Sequence, residues 1–131
     1  MSVGTSAGVA VRDALAAALR AALPGVAVFV GEAAAGVRPS IAVEEPQATD
    51  WSAVGFRGRE LRTGATVRVA DGQAGRMAEL VAGVERAGER LSGDVTGWRL
   101  VGAVFLRARP VAAKGGGVAM LVEHRVRVVQ L

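Results

Sequence analysis

The chain has 131 residues, 51% hydrophobic and only 4% aromatic, with a formal charge of +4. That length fits one domain, residues 1–131, whose core is aliphatic and lean, so that assembly with neighbours would add stability. The absence of cysteine excludes disulfides, zinc–thiolate sites and cysteine nucleophiles. No apolar run approaches the roughly 20 residues that span a bilayer. The opening Met1-Ser2-Val3-Gly4-Thr5 does not read as a secretory leader. All but one of the basic residues are arginine, Lys114 being the exception.

Residues 6–22 predict a helix, with Val11, Leu15, Ala18, Leu19 and Ala22 on one face and Pro24-Gly25 as its stop. Residues 26–30 and 40–43 are short β-branched runs, read as strands. Residues 44–58 read as a long irregular polar loop carrying Trp51, a length usual for functional loops. Residues 59–70 alternate as a half-buried strand, with Leu61, Thr63, Ala65, Val67 and Val69 on one side. Asp71-Gly72 is expected to cap a second helix over 73–91, striped by Met77, Leu80, Val81, Val84 and Leu91.

The last third predicts a hairpin. In residues 98–109, Trp98, Leu100, Val104 and Leu106 share one face. Arg99, Arg107 and Arg109 take the other, together with Val101 and Phe105. Lys114-Gly115-Gly116-Gly117 reads as a flexible tip, mobile in the free subunit, and residues 118–130 return with Arg125 and Arg127 outward. The expected class is α+β: an antiparallel or mixed sheet of four to five strands with two helices packed on one face.

Catalytic chemistry is hard to find. His124 stands alone in a strand and is expected to pack in the core. Gly31-Glu32-Ala33-Ala34-Ala35-Gly36 has phosphate-loop glycine spacing, but Val37-Arg38 stands where the mechanism needs lysine and a hydroxyl. Glu44 and Glu45 point apart on an extended chain and make a poor acid–base pair. The sequence therefore reads as a non-enzyme with no cofactor and no metal site. Its exposed sheet edges and arginine-studded face suit joining subunits.

The chain resembles the tail-completion, or tail-terminator, family of long-tailed phages and gene transfer agents. The resemblance rests on Val11-Arg12-Asp13-Ala14-Leu15, Pro39-Ser40-Ile41-Ala42-Val43, Asp50-Trp51, Glu60-Leu61-Arg62 through Val69, Met77-Ala78-Glu79-Leu80-Val81 and Gly97-Trp98-Arg99-Leu100-Val101. It implies a structural ring, usually of six copies, at the tail–neck junction of a particle assembled in the bacterial cytoplasm. Such a ring caps the tail tube, stops its polymerisation and meets the neck protein. DNA passes through the lumen without sequence-specific binding, and no membrane is involved. The alternatives are a head–tail connector or a small basic nucleic-acid-binding module. The expected interface residues are Asp50, Trp51, Phe56, Arg57, Arg59, Arg107, Arg109, Lys114, Arg125 and Arg127.

Overall fold

The computed structural model describes residues 5–131, so the leader reading of Met1 to Gly4 lies outside the described residues. Helix α1 spans Ala7–Ala22; the Ser6 hydroxyl caps it by accepting from the Val9 N–H at 3.2 Å. Strands β1 (Ala27–Val30), β2 (Ser40–Val43), β3 (Ala48–Asp50) and β4 (Gly58–Val69) follow. Helix α2 covers Ala74–Glu89, and β5 (Gly93–Val95), β6 (Trp98–Val111) and β7 (Val118–Gln130) complete the chain.

The sheet is mixed and has seven strands, in the order β1-β2-β4-β7-β6-β5, with β3 paired to β4 beside β2. Only β1 and β2 run parallel. The expectation of four to five strands is low because β3 and β5 have three residues each, too few to display an alternation. The 44–58 segment is correspondingly less irregular than its composition suggests. Its Ala48, Thr49 and Asp50 pair with Leu61, Glu60 and Arg59. Asp71-Gly72 does not cap α2 either; Gln73 takes that position without a side-chain bond.

Both helices cover one face of the sheet. Leu15 and Leu19 of α1 and Met77, Leu80 and Val84 of α2 bury against Ile41, Val43, Ala65, Val67, Val69 and Val122. At the other end, Val11 packs with Leu61, Trp98, Leu100, Val126 and Val128, and the Trp98 indole N–H donates to the Thr5 carbonyl at 2.9 Å. His124 is buried between sheet and helix, as its alternation predicts. Its Nε2–H donates to the Glu85 carbonyl at 3.0 Å, and Phe105 meets the ring edge-on at 5.8 Å between centroids. Gly88 makes room for it: a Cβ there would lie 2.2 Å from Nε2.

Strand β6 departs from simple alternation twice. Leu100 pairs with Val128 and Gly102 with Arg127, leaving Val101 extra; Phe105 pairs with His124 and Arg107 with Glu123, leaving Leu106 extra. Each bulge advances the side-chain phase by one residue. Phe105, expected among the arginines, therefore packs on the helix-side core. Val104 and Leu106, expected in the core, are exposed on the outer face with Val101.

The β6–β7 tip is tied down. Arg38 donates to the Gly115 and Gly116 carbonyls, each at 2.8 Å, and Arg68 donates to the Lys114 carbonyl. Gly115, Gly116 and Gly117 all have positive φ, near 80–90°. The glycines satisfy a turn geometry closed to side chains, which replaces the expectation of a free, mobile tip.

Candidate functional site

The outer face of the sheet, away from the helices, gathers most of the candidate residues. Along β4 it presents Glu60, Arg62 and Arg68; along β7, Glu123, Arg125 and Arg127; along β6, Arg99, Arg107 and Arg109. Two carboxylates organise these arginines. Glu60 Oε1 accepts from Arg127 Nε at 2.9 Å and lies 3.8 Å from Arg125 Nε. Glu123 Oε1 accepts from Arg107 Nε at 2.7 Å and lies 3.5 Å from Arg109 Nε. Gly64 stands opposite Glu123 in the β4–β7 register, where a Cβ would lie 3.3 Å from Leu121 and 3.5 Å from the Glu44 carboxylate.

Burial pushes the Glu123 carboxyl up, but the Arg107 hydrogen bond and the charges of Arg107 and Arg109 outweigh it and hold the group below its ordinary value of 4.5. A depressed carboxylate adds stability that is present above that ordinary value and lost as pH falls through the folded one. Glu123→Gln should therefore cost on the order of 1 kcal/mol at neutral pH, a modest figure because both arginines are largely exposed to solvent. The gap to the wild type should close as pH is lowered past 4.5. Denaturant midpoints across pH 3–7 check this; a gap that persists at the acid end would mean the ion pairs are not its source.

At the β3 end, Trp51 lies under Arg127, whose guanidinium carbon is 4.9 Å from the ring centroid. Phe56 tilts against it at 5.5 Å. The Trp51–Phe56 turn thus folds back on the sheet and raises Val54 fully into solvent at its tip. The indole stem is partly spent within the chain, while Phe56 and Val54 stay available to a neighbour. Asp50 accepts from the Ser52 hydroxyl at 2.7 Å and from Arg59 at 3.2 Å. Arg57 stands just before β4, where its carbonyl extends the ladder to β7 by accepting from the Gln130 N–H at 2.8 Å.

The ten expected residues do not form one cluster. Trp51, Phe56, Arg107, Arg109, Arg125 and Arg127 share the outer face. Arg59 turns to the helix side, 5.9 Å from the Trp98 ring. Lys114 belongs to the tip, beyond the Val69 end of β4, while Trp51 sits at the Gly58 end. Those ends are roughly 35 Å apart along an extended strand of this length. Sequence reasoning put Val101 on the arginine face but missed Val104 and Leu106 beside it, and the anchoring roles of Glu60, Glu123, Arg38 and Arg68. Charge alternation along β4 and β7 was the available signal for the two glutamates; the bulges hid Val104 and Leu106.

Two sheet edges are blunted. Arg20 takes the Val28 carbonyl of edge strand β1 at 3.0 Å. Beyond β5, the free edge of β6 carries two bulges, Pro110 and two arginines, features that oppose strand addition. Among the described residues no group of three or more His, Cys, Asp or Glu could hold a metal ion, and no helix is long and apolar enough to cross a membrane.

No protein-family profile matches the chain, and no curated protein sequence does. Among solved structures, a chain of "Virion of native gene transfer agent (GTA) particle" is similar to it, with a TM-score of 0.70 and 23% identity over 95% of each chain. The likeness is one of fold. It spans the whole α+β arrangement, both helices and the long strands included, with little of either chain left over.

Proposed function

We propose that this protein is a non-enzymatic structural subunit of a phage-like particle: a tail terminator that forms a ring, caps the tail tube and meets the neck. The observation that carries the reading is the fold-level likeness to a chain of a gene transfer agent virion over 95% of both chains. A particle component needs surfaces and no reaction centre. The surfaces here fit that need: an exposed apolar trio on β6, flanked by Arg107 and Arg109, and a protruding turn at Val54 and Phe56. These two regions differ, so a contact between them is heterologous, and heterologous contacts close into rings when the rotation permits.

Light-scattering mass of the purified protein tests the reading, with a species near six copies expected. Val104→Glu with Leu106→Glu should break that species to monomers that keep the native circular dichroism spectrum, since both side chains already face solvent within the subunit, while the melting temperature falls by what assembly contributes. In cells carrying the producing locus, loss of the protein should leave tails of uncontrolled length or unjoined to heads. Normal particles without the protein would overturn the proposal.

A further inference from the structure

We propose that the outer sheet face binds the phosphate backbone of duplex nucleic acid directly, as a property of the isolated chain. This goes beyond the ring reading and centres on the Arg62–Arg125 groove over β4 and β7, beside the β6 trio that the ring contact would cover. The outward positions of β4, β6 and β7 carry seven arginines against two glutamates, a surplus of five. The whole chain has a surplus of only four. Asp94, ion-paired with Arg99 at 2.8 Å, and Glu44, beside Gly64, lie on the same face and bring its surplus to three, most of the charge that the chain carries.

The local geometry points the same way. Arg107 and Arg127 hydrogen-bond their glutamates through Nε, and their terminal amino groups make no hydrogen bond among the described residues. The carboxylates fix the stems and leave the planar forks available, the arrangement suited to bidentate contact with phosphate oxygens. Arg62 has no acidic partner among the described residues and stands directly across from Arg125 in the β4–β7 register. Like charges placed opposite each other on a sheet destabilise it. An anion lying between them relieves that repulsion. A groove of about 500 Å³ opens at this place, lined by Arg62, Arg125 and Arg127 against one carboxylate, Glu60, with Gln47, Thr49, Leu61 and Leu106 around them.

The face favours a duplex over a single strand. Single-strand sites stack bases on free aromatic rings. The aromatic rings at this face, Trp51 and Phe56, lean on each other, and Trp51 is covered by Arg127. Backbone contact by arginine alone is sequence-independent and releases counterions.

Fluorescence anisotropy with a labelled 30-base-pair duplex tests this. Four phosphate contacts predict affinity falling about 100-fold between 50 and 200 mM salt, and each arginine removed should lower the log–log slope by about 0.9. Arg62→Gln with Arg125→Gln should flatten the slope by about 1.8 on that scale. Arg76→Gln with Arg90→Gln, the same charge change on the helix side, should leave it unchanged. Melting temperature provides a second readout: Arg62→Gln should hold or raise it while weakening binding. Equal losses from the two double variants would overturn the proposal, as would absence of salt-dependent binding. Displacement of the duplex by polyglutamate at equal charge concentration would mean that the face recognises acidic protein instead. Rings without duplex binding would sink only this inference; duplex binding by a protein that never assembles would sink only the particle reading.

Discussion

Gly88→Ala should destabilise the protein by about 3 kcal/mol, lowering its melting temperature by roughly 10 °C for a chain of this size. In most helices the same change helps, by close to 1 kcal/mol. Here the added methyl would sit 2.2 Å from His124 Nε2 and 2.3 Å from Cε1. The ring has no easy retreat. Its Nε2–H is committed to the Glu85 carbonyl and Phe105 flanks it. Two other glycines of α2 provide the comparison. A methyl added at Gly75 would have nothing within 4 Å, so Gly75→Ala should be neutral or mildly stabilising. Gly83 would meet only the flexible end of Leu23, at 2.9 Å, and should fall between them. Thermal unfolding of the three variants gives the order. His124→Ala combined with Gly88→Ala should cost less than the separate losses added together. Gly88→Ala matching Gly75→Ala would mean that α2 can shift and that the imidazole does not set its distance from the sheet.

Gly117→Ala should be the most damaging change outside the core, costing about 2–3 kcal/mol and loosening the β6–β7 tip. The φ of Gly117 is +80°, and a Cβ there would fall 2.5 Å from the Val69 carbonyl oxygen and 2.9 Å from Arg38 Nε. Strain and collision therefore act together. Gly116 shares the positive φ but faces open space, so Gly116→Ala should cost only about 1 kcal/mol of backbone strain. Hydrogen exchange separates the two. In Gly117→Ala, amides of residues 112–118 and the adjoining end of β4 should lose protection together, because Arg38 and Arg68 lose their carbonyl partners. Protection unchanged in that variant would mean the tip is held by something other than this clamp.

Much of the fold was legible because the long elements are periodic. The two helices and the strands at 40–43, 59–70 and 118–130 lie within a residue or two of where their patterns put them. The failures share a cause: short or phase-shifted backbone. Ala48 to Asp50 and Gly93 to Val95 are too short for alternation to register, and their pairing is dictated by the long strands beside them. Within β6, apolar residues at 100, 101, 104, 105 and 106 fit either phase, so only the partner strand decides which point inward. The candidate face was half legible. The arginines of the final hairpin were visible as outward residues, but their pairing with Glu60 and Glu123 joins positions up to 67 residues apart. The glycines at 115–117 were misread because composition alone equates glycine with freedom, whereas these three serve a fixed turn held by a distant arginine.

The paired bulges of β6 leave this strand two residues in reserve. Trp98 and Leu100 point inward, the first bulge moves the inward set to Ala103 and Phe105, and the second returns it to Ala108. Deleting Val101 would remove one residue and one phase change together, so the two cancel: Gly102 would still face Arg127, and Arg107 and Arg109 would stay on the outer face. Deleting Leu106 would do the same at the second bulge. A single deletion that left both bulges in place would instead turn every later side chain over. Shortening is therefore absorbed at 101 and 106, singly or together, and a homologous strand one or two residues shorter can keep the contents of both faces.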